Sequence, residues 1–323
     1  MVELAIGIDI GGTSTKVALI NASGEFLAKG SFPSHSVGGA DVFFPNLLKS
    51  IQSLLEEVGI AYQLVGIGIG APSCNEQEGT IEGAANLPFQ KPYPIVQMLE
   101  DASSVPVWLT KDGNAALLGE RRFGIARNID NFILLTLGTG LGCAIMMNGR
   151  LIKGSSGLAG ETGHIRVANN NRKCGCGKRG CLETYVSAVG LKRTVMALLA
   201  EETMPSILRA YSFEQLDAHL IYLAAQEGDE LARLAFELTG NVLGEKLAEL
   251  VTVFEPEAIV LAGGMAEAGS LLTRPVQQRM ESELLSFHKN KVRILTTALA
   301  TNDAALLGAA SLVWDQLRSV PVS

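Results

Sequence analysis

Between Glu161 and Glu183 the chain reads E-T-G-H-I-R-V-A-N-N-N-R-K-C-G-C-G-K-R-G-C-L-E. Three of its five cysteines fall within eight residues, and a histidine precedes them at loop distance. His164, Cys174, Cys176 and Cys181 together offer one imidazole and three thiols, a usual ligand set for a closed, tetrahedral structural zinc site. Soft thiolates favour Zn²⁺ over Mg²⁺ or Ca²⁺. Gly175, Gly177 and Gly180 let the backbone wrap closely around an ion. A disulfide, or thiols with no role, is the simpler alternative. A metal knot would stiffen the loop and fix Glu161 and Glu183 beside His164. Two carboxylates and an imidazole on a rigid loop suit a polyhydroxylated ligand.

With 323 residues there is room for two domains with separate cores. A content of 47% hydrophobic and 18% charged residues marks a globular chain. The net charge of -7, with no Lys/Arg block, argues against nucleic-acid or anionic-membrane partners. The apolar N-terminus lacks a basic flank and is interrupted by Asp9, so a signal peptide is not expected. No apolar run reaches the length of a membrane span. A cytoplasmic chain with reduced thiols is therefore expected, which again favours metal over disulfide.

The pattern is that of an α/β protein. Leu4–Ile10, Lys16–Ile20 and Phe26–Gly30 read as a β-meander, with the first hairpin closed by D-I-G-G-T-S-T-K. The small residues Gly11 and Gly12 bring backbone N–H groups close to a ligand, Thr13 adds a hydroxyl and Lys16 a charge. Such a turn can cradle phosphate, and Asp9 could hold a hydrated Mg²⁺. An ordinary glycine hairpin fits equally well, and the loop is not a Walker A motif. Asn131–Leu137, the turn Gly138-Thr139-Gly140 and Cys143–Met147 repeat the arrangement far downstream, as a duplicated fold would.

Helices are expected over Asp41–Val58, Ala115–Arg122, Thr184–Ala200, Phe213–Gln226, Asp229–Val253, Ser270–Ser286 and Asp303–Leu317. Further strands are expected at Leu64–Gly70, Val105–Thr110, Ala258–Ala262 (followed by the turn Gly263-Gly264) and Val292–Thr296. Asp112 lies just past a strand and just before a helix, where ligands gather in α/β sheets and where a carboxylate can accept a proton from a hydroxyl. A helix N-cap is the competing explanation. Asn86 could place an amide near a ligand, although turns use Asn for other reasons.

Taken together, D-I-G-G-T-S-T-K, G-T-G-L-G, L-A-G-G and above all A-G-E-T-G-H followed by C-G-C-G-K-R-G-C-L-E resemble the ROK family of sugar kinases, within the actin–Hsp70–hexokinase superfamily. The resemblance implies two ribonuclease-H-like α/β domains around a central cleft. The smaller is expected over 1–112 plus about 304–323, and the larger over 113–303 with the zinc loop. It implies ATP-dependent phosphorylation of a hexose, most simply glucose, with N-acetylhexosamine or fructose as alternatives, and a homodimer. Asp112 matches the catalytic base, and Glu161, His164 and Glu183 match sugar contacts. Gly11, Gly12, Thr13, Gly138, Thr139 and Gly140 match phosphate contacts, Gly263 and Gly264 the nucleotide side, and Asp9 the residue near Mg²⁺.

Two positions depart from the family pattern. Lys111 stands where Asn usually precedes the catalytic Asp; a donor-only cation there could recruit an acidic or phosphorylated sugar, or could simply replace the Asn hydrogen bond or point away from the ligand. Ser73 stands where the preceding loop usually has Gly. Some relatives are DNA-binding repressors. Here the first glycine loop begins close to Met1, and no helix-turn-helix module is expected. A sugar sensor without catalysis is the remaining non-enzyme alternative.

Overall fold

A computed structural model describes residues 1–35, 39–83, 87–89, 91–167, 171–300 and 303–319; Asn86 lies outside them. The chain divides into two compact units. One comprises Met1–Asn128, Lys153–Gly157 and Asn302–Ser323, and the other Ile129–Ile152 and Leu158–Thr301.

The first unit is built on β1 (Val2–Ile10), β2 (Ser14–Asn21) and β3 (Phe26–Pro33), followed by α1 (Ala40–Glu57) and β4 (Tyr62–Ala71). A short hairpin, β5 (Cys74–Asn75) and β6 (Thr80–Ile81), precedes α2 (Ile95–Ser103), β7 (Val107–Lys111) and α3 (Asp112–Arg122). The sheet order is β3-β2-β1-β4-β7. β1 pairs antiparallel with β2, while β4 runs parallel to both β1 and β7. Helix α1 buries Phe43, Leu47, Ile51 and Leu54, the three- and four-residue spacing that puts one stripe against a sheet.

The second unit repeats the plan. β8 (Phe132–Leu137), β9 (Leu141–Met147) and β10 (Arg150–Leu151) form its meander. Then come α4 (Glu183–Val186), α5 (Ala188–Glu201), α6 (Ala218–Gln226), α7 (Glu230–Phe254), β11 (Ala258–Ala262), α8 (Ser270–Glu283) and β12 (Arg293–Thr296). The order β10-β9-β8-β11-β12 matches the first sheet strand for strand, with the same parallel and antiparallel senses. The repeated strand–turn–strand pattern in the sequence therefore reflects two copies of one topology.

Helix α9 (Asp303–Ser319) belongs to the first unit and presses on β4 and α3 at van der Waals limits. A Cβ on Gly68 would fall 1.7 Å from the Ala309 carbonyl oxygen, and one on Gly308 would fall 1.5 Å from that of Ala115. Gly66, Gly68 and Gly70 share one face of β4, by the two-residue repeat of a strand. The glycines in L-V-G-I-G-I-G thus make room for packed neighbours. Because α3 packs on α9, the first unit runs through Asn128, past the boundary expected at Asp112.

Three local expectations differ from the structure. Helix α2 had no counterpart in the sequence reading. The helix expected from Phe213 starts at Ala218, because the Asp217 carboxylate accepts the Leu220 N–H (2.7 Å) and caps it there. The helix expected over Thr184–Ala200 breaks at Ser187, whose extended backbone and hydroxyl cap start a new helix.

Candidate functional site

In the first unit, Asp9 lies near the end of β1, opposite Lys16 in the β1–β2 register. Lys16 Nζ is 3.8 Å from Asp9 Oδ2. Burial pushes the Asp9 carboxyl from its ordinary 3.8 up to about 6; Lys16 opposes the rise and the Asp112 charge adds to it. The turn at Gly11–Thr13 is braced from β3's end. The Ser34 hydroxyl donates to the Gly11 carbonyl (2.5 Å), the Ser34 N–H donates to the Thr13 carbonyl (3.0 Å), and the Thr15 and Ser34 hydroxyls are 2.9 Å apart. Ser34 carried no sequence signal, because it stands nineteen residues from Thr15.

At the end of β7, Lys111 is buried and Asp112 is exposed as the first residue of α3. Lys111 holds the N-cap position, so Asp112 is not the cap; its Oδ1 accepts its neighbour's N–H, that of Gly113, at 2.7 Å. Glu76 lies nearby. It accepts from the Thr110 hydroxyl and pairs with Lys153 Nζ at 2.6 Å. Ser73 adopts φ 49°, a left-handed backbone that explains why Gly is usual there.

In the second unit the glycine turn Gly138–Gly140 joins β8 to β9. Gly138 and Thr139 line a cavity of about 580 Å³ together with Gly264 and Met265, which follow β11. Gly263 has φ 85°, and a Cβ there would lie 2.6 Å from the Leu137 carbonyl oxygen, so the two glycine turns approach closely. The remaining walls include Asp217, His219 and Tyr222 from the start of α6, and Glu267. These residues come from a helix terminus and a short turn with no periodic signature, and sequence reasoning missed them. The lining sets glycine turns at one part of the cavity and an aromatic ring with carboxylates at another.

The His/Cys stretch folds as a knuckle. The Cys174 N–H donates to Lys178 O (2.9 Å), the Gly180 N–H to Arg172 O (2.9 Å) and the Val167 N–H to Gly180 O (2.7 Å). Gly177 and Gly180 take positive φ, which the tight reversal requires. Ligand atoms of His164, Cys174, Cys176 and Cys181 all lie within 4.8 Å of one another. Cys176 and Cys181 Sγ are 3.6 Å apart, and Cys174 Sγ is 3.7 Å from His164 Nδ1. A tetrahedral ion bound at about 2.3 Å by sulfur sets its ligands about 3.8 Å apart, so the set fits such an ion. Burial raises the Cys174 and Cys181 thiols. The Lys178 backbone N–H, chiefly, holds Cys176 below the usual range. A bound cation would offset the cost of ionising the buried pair.

Around this knuckle, Glu161 is exposed and precedes the single helical turn Thr162–His164. Glu183 begins α4. Its Oε2 accepts the Leu141 N–H at 3.1 Å, and its Oε1 lies 3.7 Å from Cys174 Sγ. The second unit thus brings Glu183 against both the candidate metal ligands and the glycine turn. Arg172 anchors the base of the knuckle. It donates to the Thr184 and Gly190 carbonyls (2.9 and 3.0 Å) and its guanidinium stacks over Tyr185. Among the described residues no helix is long and apolar enough to cross a membrane.

Comparison with known proteins identifies the family. The ROK family model matches residues 5–316. A glucokinase of Halalkalibacterium halodurans is 33% identical over 319 residues, 98% of this chain and 96% of that protein. The structure of a ROK family glucokinase from Streptomyces griseus, solved in complex with glucose and AMPPNP, is 30% identical; it matches with a TM-score of 0.80 over 97% of this chain and 99% of that one. A xylose repressor of Caldicellulosiruptor bescii is 28% identical over 98% of this chain and 79% of its own length. With the family pattern spanning nearly the whole sequence, and its two-unit α/β architecture shared with a solved member, this chain belongs to the ROK family.

Proposed function

We propose that this protein phosphorylates a hexose with ATP, most simply glucose at its 6-hydroxyl. One observation carries the proposal furthest: Gly138, Thr139 and Gly264 line a single cavity in a chain 30% identical, over nearly its whole length, to a glucokinase solved with glucose and a nucleotide. Phosphoryl transfer needs placement and charge neutralisation more than covalent help. The Thr139 and Gly140 N–H groups of one glycine turn and the Gly12 and Thr13 N–H groups of the other hold the phosphates; those of Gly138 and Gly11 are used within their turns, on the Gly140 and Ser14 carbonyls. Glu161 and Glu183 accept from the sugar hydroxyls and His164, one nitrogen committed to the ion, donates its other ring N–H, so that together they fix the ring. Asp112 orients the attacking hydroxyl and takes its proton as oxygen bonds to the γ-phosphorus and the bond to ADP breaks.

Asp9 would hold a hydrated Mg²⁺, which supplies charge neutralisation at the phosphates when bound. His164, Cys174, Cys176 and Cys181 would hold a structural Zn²⁺. The relationship to a xylose repressor supports a second reading, a sugar-responsive regulator that needs no base. An ATP-consumption assay over neutral, amino and acidic sugars separates the two. Turnover with a hexose that disappears in Asp112→Ala, with metal content intact, supports the kinase. Sugar binding without turnover supports the regulator, and full activity of Asp112→Ala refutes the assigned base.

A further inference from the structure

Leu141, the first residue of β9, is held from two sides by the neighbours of metal-ligand positions. On one side, a Cβ on Gly163 would lie 2.9 Å from the Leu141 carbonyl oxygen, and His164 follows directly. On the other, Glu183 Oε2 accepts the Leu141 N–H at 3.1 Å, two residues beyond Cys181. The same segment grips the other end of the turn, because the Ala188 N–H donates to the Gly138 carbonyl at 2.8 Å. Gly140 makes the approach possible: a Cβ there would lie 2.6 Å from Glu183 Oε2. The two sides are themselves joined through the Leu182 N–H, which donates to Ile165 O at 2.9 Å.

We infer that Glu183 is a positioning residue for the nucleotide, coupling the metal knuckle to the phosphate turn through Leu141. The inference rests on taking Gly138–Gly140 as the phosphate turn and the His/Cys set as a metal site. An ion that ties His164 to Cys181 also fixes the spacing of Gly163 and Glu183, the two contacts that flank Leu141. Glycines 175, 177 and 180 give the unligated knuckle extra backbone freedom, so ordering it has an entropic cost that the ion offsets. Metal loading then tightens nucleotide binding with no sugar present, although the ion touches no phosphate. A Glu183 that served only the sugar would leave nucleotide affinity alone.

The test measures the affinity of a Mg²⁺–ATP analogue for the full chain without sugar, with zinc content determined by mass spectrometry. Chelation of the wild type should weaken binding about 10- to 100-fold, the range of one charge-assisted hydrogen bond. Glu183→Ala should weaken the loaded protein to a similar degree and become insensitive to chelation. Glu183→Gln retains an oxygen for the Leu141 N–H and should stay within about threefold. Gly140→Ala, which displaces the carboxylate without removing it, should behave like Glu183→Ala. Wild-type affinity in both Glu183→Ala and Gly140→Ala overturns the coupling. A wild type that binds no nucleotide overturns the kinase proposal instead, and a wild type without zinc overturns the metal half alone.

Discussion

Asp9 Oδ2 lies 3.8 Å from Lys16 Nζ, yet burial outweighs that cation and holds the carboxyl at about 6. The folded state therefore binds the Asp9 proton more tightly than the unfolded chain, where the group keeps its ordinary 3.8. This contribution is fully present below about pH 4 and is lost as pH rises through about 6. Two units at about 1.4 kcal/mol each put the cost of ionised Asp9 near neutrality at up to about 3 kcal/mol. Asp9→Asn should raise the unfolding temperature at pH 7, without nucleotide, and change it little at pH 4. The proposed Mg²⁺ site needs the ionised carboxylate, so wild-type activity should fall at acid pH, and the more stable Asn variant should be inactive throughout. A variant less stable than wild type at pH 7 would show that the Lys16 pair outweighs burial.

The contact of Gly308 with Ala115, and of Gly68 with Ala309, leaves no space for a methyl group. Gly308→Ala and Gly68→Ala should each cost about 2–4 kcal/mol, since both obstacles are backbone and cannot swing aside. Gly264 is the contrast. Open space surrounds its Cβ position, so Gly264→Ala should keep wild-type stability while narrowing the cavity it lines and weakening nucleotide binding. Denaturant unfolding of the three variants checks the ordering. A Gly308→Ala chain of wild-type stability would mean that α9 is free to move off α3.

Ser73 stores a smaller strain. Its φ of 49° places a Cβ residue in left-handed backbone, while its carbonyl is tied to the Glu82 N–H at 2.8 Å and its position is fixed. Ser73→Gly should stabilise the chain by about 0.5–1 kcal/mol, because relief of the steric cost exceeds the added freedom of the unfolded glycine. Thermal unfolding reads this directly, and destabilisation would show that the serine hydroxyl outweighs the strain.

What could be read from the sequence was what recurs or clusters. The strands around Ile6–Ile10 and Ile133–Leu137 announce themselves by apolar runs ending in glycine turns, and the knuckle by three cysteines and a histidine. The role of the β4 glycines has no local signature because the helix that needs their space, α9, lies far along the chain. The same distance hid Ser34 beneath the first turn and the α3–α9 packing that sets the unit boundary. Asp217, His219 and Tyr222 escaped notice because a helix N-terminus lends side chains to a cavity in any order of residue types. Glu183 was legible as an acid beside the metal loop, but its bond to Leu141 spans forty-two residues and has no local signature.

Lys111 bears on the substrate proposed above. It is 8% exposed at the end of β7, beside Asp112, and the charges of Lys111, Asp112 and Glu76 all act on the Cys74 thiol, so the three share one neighbourhood. A buried ammonium next to the proposed base can donate to a sugar substituent but cannot accept from one, unlike the Asn usual in the family. A Lys111 that reached the sugar would favour a ring bearing a carboxylate or phosphate over the neutral glucose proposed above, whereas one that only supports the strand end would leave glucose the better substrate. Lys111→Asn should move kcat/KM toward neutral hexoses by about tenfold relative to acidic or phosphorylated sugars, the worth of one charge-assisted hydrogen bond. The comparison needs the whole sugar panel for both proteins. An unchanged ranking would mean that Lys111 supports the strand end and does not select the ligand.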